Sequence, residues 1–407
     1  MSSEPFKNPF RPGAGQKPPH LAGRIVEREK FTTLLDQDVV FKNLILTGLR
    51  GTGKTVLLET FKPIAIQKQW LWVGADMSES ASVSEETLAL RLLTDLAVVT
   101  SQMIVSRKQS VGFNFGNNGS DITLDYALLV NFFSNQPGLI EDKLKTTLEW
   151  VWGIVRGNPA TKGMVFAYDE AQNMNDQEKK QQYPLGMLLD TFQSLQRKDI
   201  PFLLALTGLP TLFPKLVDSR TYSERMFEVV ELQRLLESES REAITKPLID
   251  DACPVQFSEP YISSIIKESS GYPYFIQFIC REVFDSYLSQ AAQDVKAPRI
   301  PIQEIVAKLD TVFFSGRWTN ITDRQRQLLA VIAQLPNHDG EFSIQEVVAQ
   351  AKKSLQQPIS SSHMNQMFVT LTTDGLMYKT RHGKYSLGIP LLGEFIRRQQ
   401  VLKTIAT

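Results

Sequence analysis

Short apolar runs alternate with amphipathic stretches along roughly the first 230 residues. Each run has four to six residues, a length typical of a buried parallel strand. The runs that we interpret as strands begin at Asn43, Trp70, Met164, Phe202 and Phe227. Helical periodicity lies between them, most clearly over 83–103, 139–155 and 185–197. The alternation predicts an α/β fold with a three-layer parallel sheet core covered by helices.

The pattern changes in the second half of the chain. After Leu235 it is almost all helical to about Phe314, and Gly316-Arg317-Trp318 indicates a boundary. Three helices (322–335, 344–353, 361–373) and a hairpin (375–379, 384–387) follow. The predicted domains are an N-terminal arm (1–20), an α/β core (21–235) with an insertion around 77–160, a helical domain (236–315) and a C-terminal domain (316–407).

The strongest chemical signal is a phosphate-binding loop between the first strand and the next helix. It matches G-x-x-x-x-G-K-[ST] in full. Its members are Gly48, Leu49, Arg50, Gly51, Thr52, Gly53, Lys54 and Thr55, with Val56 opening the helix. The glycines let successive N–H groups point at phosphate oxygens, and the helix N-terminus adds positive charge. We expect Lys54 to reach the β and γ phosphates of ATP and Thr55 to bind Mg²⁺.

An acidic pair, Asp169-Glu170, closes the strand that begins at Met164. An Asp at a strand end can hold Mg²⁺, and the adjacent Glu170 can polarise the water that attacks the γ phosphate. Thr207 closes the next strand, 38 residues after Asp169. It either senses the γ phosphate or caps the strand.

Arg225 precedes the fifth strand. Its cationic fork suits contact with the γ phosphate of a neighbouring subunit in a ring or filament. The alternative is a surface arginine paired with Glu224 or Glu228.

Together these motifs resemble the AAA+ superfamily of P-loop ATPases. The resemblance rests on Gly23-Arg24 with Glu27, the phosphate loop, Asp169-Glu170, Thr207-Gly208-Leu209-Pro210 and Glu224-Arg225. Within the superfamily the chain is most similar to the initiator (origin-recognition-like) and STAND-related branch, because Gly271-Tyr272-Pro273 resembles the G-x-P motif of the STAND lid. The likeness covers about residues 20–400, and the C-terminal domain resembles a winged helix.

The resemblance implies further site residues and partners. Arg24 would lie beside the adenine, Pro273 would pack beside the nucleotide in a helical lid, and Arg281 could point back to the phosphates. The gap of 115 residues from Lys54 to Asp169 exceeds what the core needs and includes a predicted hairpin over 111–124. That hairpin either covers a sheet edge or touches DNA or a partner.

The winged helix offers a possible contact with duplex DNA. The third helix presents polar residues that could face a major groove, and the wing is locally basic. The helix residues are His363, Asn365 and Gln366, and the wing residues are Lys379, Arg381, His382 and Lys384. Winged helices also bind proteins, so a protein partner stays open.

Composition narrows the classes of function. The 407 residues carry 44 basic and 44 acidic side chains, which excludes a broad basic surface for nonspecific DNA binding but permits a local contact. Cys253 and Cys280 are too few for a disulfide framework, which favours the cytoplasm. No apolar run is long enough to span a membrane.

Three functions stay open. The first is an ATPase whose nucleotide state gates self-assembly on DNA, as the resemblance implies. The second is a slow, STAND-like ATP/ADP switch or scaffold that binds a protein partner in bacterial defence or regulation. The third is a DNA-binding regulator with a vestigial site, against which the intact Lys54, Thr55, Asp169 and Glu170 argue. The sequence Asp169-Glu170-Ala171-Gln172 resembles a helicase box, but no other helicase motif accompanies it.

Overall fold

The computed structural model describes residues 6–105, 122–249, 253, 255–291, 293, 299–355 and 359–405. Residues 106–121, which hold most of the predicted 111–124 hairpin, lie outside that description. The chain divides into two compact units. The sheet unit comprises Arg24–Thr47 and Lys54–Glu231. The helical unit comprises the residues up to Gly23, Gly48–Gly53 and the chain from Leu232 onward.

The sheet unit alternates strands and helices as the sequence predicts. Its described strands are β1 (Asn43–Thr47), β2 (Trp70–Asp76), β3 (Ile104–Val105), β4 (Ile122–Thr123), β5 (Gly163–Asp169), β6 (Phe202–Gly208) and β7 (Phe227–Glu231). Its described helices are α1 (Ile25–Leu35), α2 (Lys54–Gln67), α3 (Glu85–Thr100), α4 (Tyr126–Asn135), α5 (Ile140–Val155), α6 (Pro184–Gln196), α7 (Leu212–Ser219) and α8 (Ser223–Met226). Pro63 lies inside α2, and the helix continues past it to Gln67.

The main sheet has the strand order β2-β5-β6-β1-β7, and every pairing in it is parallel. Every residue of β1, β5 and β6 is buried, because these strands lie inside the sheet with helices on both faces. This burial explains why their sequences are unbroken apolar runs. The predicted parallel, helix-covered sheet is confirmed.

The helical unit follows a different plan. Its described helices are α9 (Glu237–Thr245), α10 (Glu259–Ser269), α11 (Pro273–Ala291), α12 (Ile302–Leu309), α13 (Ser315–Thr319), α14 (Asp323–Ala333), α15 (Ile344–Ser354), α16 (Ser361–Thr373) and α17 (Leu392–Ile405). The antiparallel strands β8 (Phe342–Ser343), β9 (Met377–Arg381) and β10 (Lys384–Leu387) form a sheet in the order β8-β10-β9.

The three helices and the hairpin predicted near the C-terminus are thus present, and α17 follows them. At Gly316, where the sequence indicates a boundary, the backbone stays helical, since a π-helical turn (Asp310–Phe314) links α12 to α13. Helix α17 packs on this turn: Phe395 stacks on Phe314 with ring centroids 4.9 Å apart.

The arm before α1 packs on α11. The Asn8 side chain donates hydrogen bonds to the Arg281 carbonyl (3.0 Å) and to Asp285 Oδ1 (2.7 Å). Phe10 is 2% exposed, and its ring lies 6.1 Å from that of Phe257 and 6.3 Å from that of Phe284. From Phe6 onward the arm is therefore ordered by contact with α11 and its neighbours.

Replacing Phe10 with alanine should destabilise the helical unit by about 3–5 kcal/mol, because a large buried ring is removed. The midpoint of thermal unfolding should fall by on the order of 10 °C. Phe41→Ala is the matched control, since Phe41 is 73% exposed. Equal, small shifts for the two variants would show that the arm contributes no packing.

Candidate nucleotide site

Strands β1, β5 and β6 end side by side, near Thr47, Asp169 and Gly208, and we call this the carboxyl edge of the sheet. The phosphate loop leaves β1 after Thr47, and α2 begins at Lys54. Parallel strands bring their last residues to one edge, so side chains from segments far apart in sequence meet there.

Thr55 and Asp169 are in direct contact. The Thr55 hydroxyl donates a hydrogen bond to Asp169 Oδ2, and the Glu170 N–H donates one of 2.8 Å to Asp169 Oδ1. Burial raises the pKa of Asp169, while the hydrogen bond from Thr55 and the charge of Lys54 oppose that rise. A hydroxyl and a carboxylate held together are the hard oxygen ligands that Mg²⁺ prefers, so this pair fits the predicted metal.

Two further groups at the carboxyl edge suit a polyphosphate. Lys54 is only 8% exposed although it is charged. The Thr207 side chain is fully buried, and its Oγ1 has no hydrogen-bond partner among the described residues. A buried hydroxyl without a partner is costly, so an oxygen-rich ligand at this edge would satisfy it.

Glu170 is exposed beside the buried Asp169. Its backbone is left-handed, with φ 52° and ψ 33°, which is an uncommon conformation for a residue other than glycine. The turn aims the carboxylate away from the core, and the Gln172 side-chain amide donates a hydrogen bond to it. An exposed, hydrogen-bonded carboxylate beside a pair of residues that could hold Mg²⁺ can accept a proton from water.

Within the helical unit, the glycine-rich part of the loop contacts the start of α11. The Tyr274 N–H donates a 3.2 Å hydrogen bond to the Gly51 carbonyl. Gly51 has φ +80°, and a Cβ there would lie 3.1 Å from Tyr274 Cβ, so this close approach requires glycine. Pro273, predicted beside the nucleotide, is the first residue of α11 and adjoins this contact.

Arg24 and Arg281 occupy different surroundings. Arg24 precedes α1 with φ 66°, is 9% exposed, and pairs with Glu27 at 3.2 Å. Arg281 lies about two turns along α11 from the Tyr274 contact, and its half-exposed side chain is 3.9 Å from Asp285. In the structure Arg281 therefore contacts the arm, through its carbonyl, and Asp285 of its own helix.

Solved structures with similar folds span nearly the whole chain. The Walker-type ATPase PABY2304 of Pyrococcus abyssi is 14% identical with a TM-score of 0.58, over 93% of this chain and 96% of that one. The ORC2 protein of Aeropyrum pernix, solved as ADPNP–ADP complexes, is 12% identical with a TM-score of 0.53, over 97% and 98%. The chain has an AAA+-type fold like that of these two proteins. At this level of identity the likeness establishes the fold alone.

Two comparisons of sequence add little to this result. A family model described as "Domain of unknown function (DUF8462)" matches residues 311–396, which include most of the C-terminal elements of the chain. A search of curated proteins by sequence found no match.

None of the described helices combines the length and apolar character needed to cross a bilayer.

Arg225 lies at the opposite edge of the main sheet. It is exposed in α8, two residues before β7, whose Phe227 pairs with Asn43 at the start of β1. The five residues of β1 span about 15 Å, so Arg225 is far from Asp169 of its own subunit. Within the described ranges Arg225 makes no ion pair, and Glu228 pairs instead with Lys30 and Lys42 at 3.5 Å each.

The predicted DNA-facing residues are exposed, but the wing is less basic than its sequence indicates. His363, Asn365 and Gln366 lie on the exposed face of α16. Arg381 pairs with Glu341 at 2.8 Å, and Lys384 pairs with Glu346 at 3.1 Å.

Glu346 is held in place by several hydrogen bonds. Hydrogen bonds from Ser343, together with Lys384, lower the pKa of Glu346 to about 2. These acidic partners, Glu341 and Glu346, precede the wing by about 40 residues in sequence. The local sequence of the wing therefore does not show that its basic residues are paired.

Sequence reasoning also missed Gln172 and Tyr274. The sequence pattern includes Gln172 only in a helicase-like tetrapeptide, and it gives no signal for Tyr274. Their contacts depend on β6 and on the phosphate loop, which lie far from them in sequence, so no local pattern could reveal them.

Proposed function

We propose that the chain is a Mg²⁺-dependent ATPase that hydrolyses ATP to ADP and phosphate. The observation that carries the proposal is the Thr55–Asp169 contact beside the buried Lys54, directly after a complete phosphate loop. Thr55 and Asp169 would hold Mg²⁺, Lys54 would bind the β and γ phosphates, and the N–H groups of Gly48–Gly53 would line them. Arg24 and Pro273 would flank the nucleotide.

The hydrolytic step belongs to Glu170 and Thr207. Water forms the new bond to the γ phosphorus, the bond from that phosphorus to the ADP oxygen breaks, and the water proton passes to Glu170. The buried Thr207 hydroxyl would orient the γ phosphate or the water. Steady-state release of phosphate from ATP, with and without Mg²⁺, tests this proposal. Hydrolysis that persists in excess EDTA would contradict the metal assignment.

We further propose that ATP gates self-assembly on DNA. In this proposal residues 236–315 form a lid and 316–407 a winged helix, whose α16 face meets duplex DNA. The alternative, a slow ATP/ADP switch that binds a protein partner, is favoured by the ion pairs that neutralise Arg381 and Lys384. A cytoplasmic location is part of the proposal, because both cysteines are free thiols.

The mass of the assembly separates these functions. Light scattering should report a larger particle with ATP and Mg²⁺ than with ADP, and a 40-base-pair duplex should increase the mass and the rate of hydrolysis. A mass that depends on ATP but ignores DNA would favour the protein-binding switch. A mass and a rate that ignore nucleotide altogether would contradict gated assembly.

Arg225 is expected to act on the neighbouring subunit. Arg225→Ala and Glu170→Gln should each be inactive alone, because each removes one half of every composite site. Mixed assemblies should recover part of the hydrolysis rate, since some interfaces then combine an intact Glu170 with an intact Arg225. Arg197→Ala, at the end of α6, is the control and should remain active. Absence of recovery in assemblies shown to contain both variants would contradict a role in trans.

A further inference from the structure

Gln172 joins the end of β6 to the carboxylate of Glu170. Its side-chain nitrogen donates a hydrogen bond to Glu170 Oε2, and its Oε1 accepts one of 3.1 Å from the Leu209 N–H. A primary amide has separate donor and acceptor atoms, so it can make both bonds at once. All three residues belong to the sheet unit.

The surroundings hold Gln172 in this position. The Lys215 ammonium donates hydrogen bonds to the carbonyls of Gln172 and, at 3.2 Å, Met174. Lys215 is half-buried, and burial lowers its pKa. The backbone of the short helical turn after Glu170 is thereby tied to α7.

The end of β6 also leaves room for the amide. A Cβ at Gly208 would lie 2.7 Å from Gln172 Oε1 and would displace it. Thr207, with its unpartnered buried hydroxyl, immediately precedes this glycine. Thr207, which would meet the γ phosphate, is therefore two residues before Leu209, the donor to Gln172 Oε1.

We propose that Gln172 is a positioning residue that orients Glu170, the residue that activates water. The end of β6 in turn sets the position of the Gln172 amide. This inference rests on the proposed ATPase function and deepens it. The amide fixes one carboxylate oxygen and leaves the other oxygen to accept the proton of the attacking water. A shift of Thr207 and Leu209 toward bound ATP would be transmitted through the amide to Glu170, without a contact between Gln172 and the nucleotide.

The physical expectation is a change in turnover and not in binding. Misplacing a catalytic group by about 1 Å can cost roughly 10²-fold in rate. Among the described residues, Gln172 makes no hydrogen bond with a residue assigned to phosphate or Mg²⁺, so the affinity for ATP should be preserved. A residue that only stabilised the fold would lower the unfolding midpoint and would not distinguish turnover from affinity.

The test compares two variants at Gln172. Gln172→Ala removes both hydrogen bonds, whereas Gln172→Glu keeps the shape and the acceptor for Leu209 but removes the donor to Glu170. For each, kcat should fall tenfold or more while the Kd for a fluorescent ATP analogue changes less than twofold. Gln193→Ala is the control: Gln193 lies one turn before Gln196, which bonds Asn43 at the opposite edge of the sheet. It should keep the wild-type kcat.

The same substitution in the Glu170→Gln variant tests whether Gln172 acts through Glu170. In single-turnover assays, adding Gln172→Ala to Glu170→Gln should change the residual rate less than twofold, because Gln172 acts through Glu170. Wild-type kcat in Gln172→Ala and Gln172→Glu, or an equal loss in both backgrounds, would overturn the inference. A wild-type chain that binds ATP but never hydrolyses it would instead overturn the proposed function.

Discussion

Lys54→Ala is expected to weaken the binding of ATP by at least 100-fold. Lys54 is 8% exposed and lies in the first turn of α2, where the helix N-terminus already favours anions. Each hydrogen bond from a charged donor contributes about 1.5–3 kcal/mol, and contacts to two phosphates would be lost together. Calorimetric titration with ATP and Mg²⁺ measures the change.

A matched control is available on the same helix. Lys62 is also in α2 but is exposed, so Lys62→Ala removes an equal charge without touching the phosphate loop. It should bind ATP within twofold of wild type. Thermal unfolding of Lys54→Ala should confirm that the variant is folded. An affinity for ATP within threefold of wild type would show that Lys54 does not bind the phosphates.

The parts of the site that follow local rules could be predicted from the sequence. The phosphate loop is a continuous motif between a strand and a helix, and Asp169 ends an apolar run. Parallel strands place such ends at one edge, so the Thr55–Asp169 contact followed from two short segments. The order of the strands needed the structure, because periodicity identifies strands but not their neighbours.

Other features depend on residues distant in sequence. The arm is held by Phe257 and by α11 residues, all more than 240 positions away. Glu341 and Glu346 form ion pairs with Arg381 and Lys384 of the wing and offset their charge. Gln172 faces Leu209 only because β5 and β6 are adjacent. In each case the decisive partner is supplied by tertiary packing, which a single sequence does not display.

Glu170→Gln should separate binding from hydrolysis most clearly. The substitution keeps the size of the side chain and an oxygen that can still accept the hydrogen bond from Gln172, so the turn after β5 should be unchanged. It removes the group that accepts the proton of water, and general-base catalysis contributes about 10²–10⁴-fold. Hydrolysis should therefore fall by at least 100-fold while the Kd for ATP stays within threefold.

This outcome discriminates between the two carboxylates. Asp169 is buried against Thr55, so replacing Asp169 should weaken the binding of both Mg²⁺ and nucleotide. Replacing the exposed Glu170 should lower only the turnover rate. Glu178→Gln, an exposed glutamate in the same segment, is the control and should hydrolyse ATP normally. If Glu170→Gln hydrolyses ATP at the wild-type rate, the water must be activated by another group, and the coupling through Gln172 fails with it.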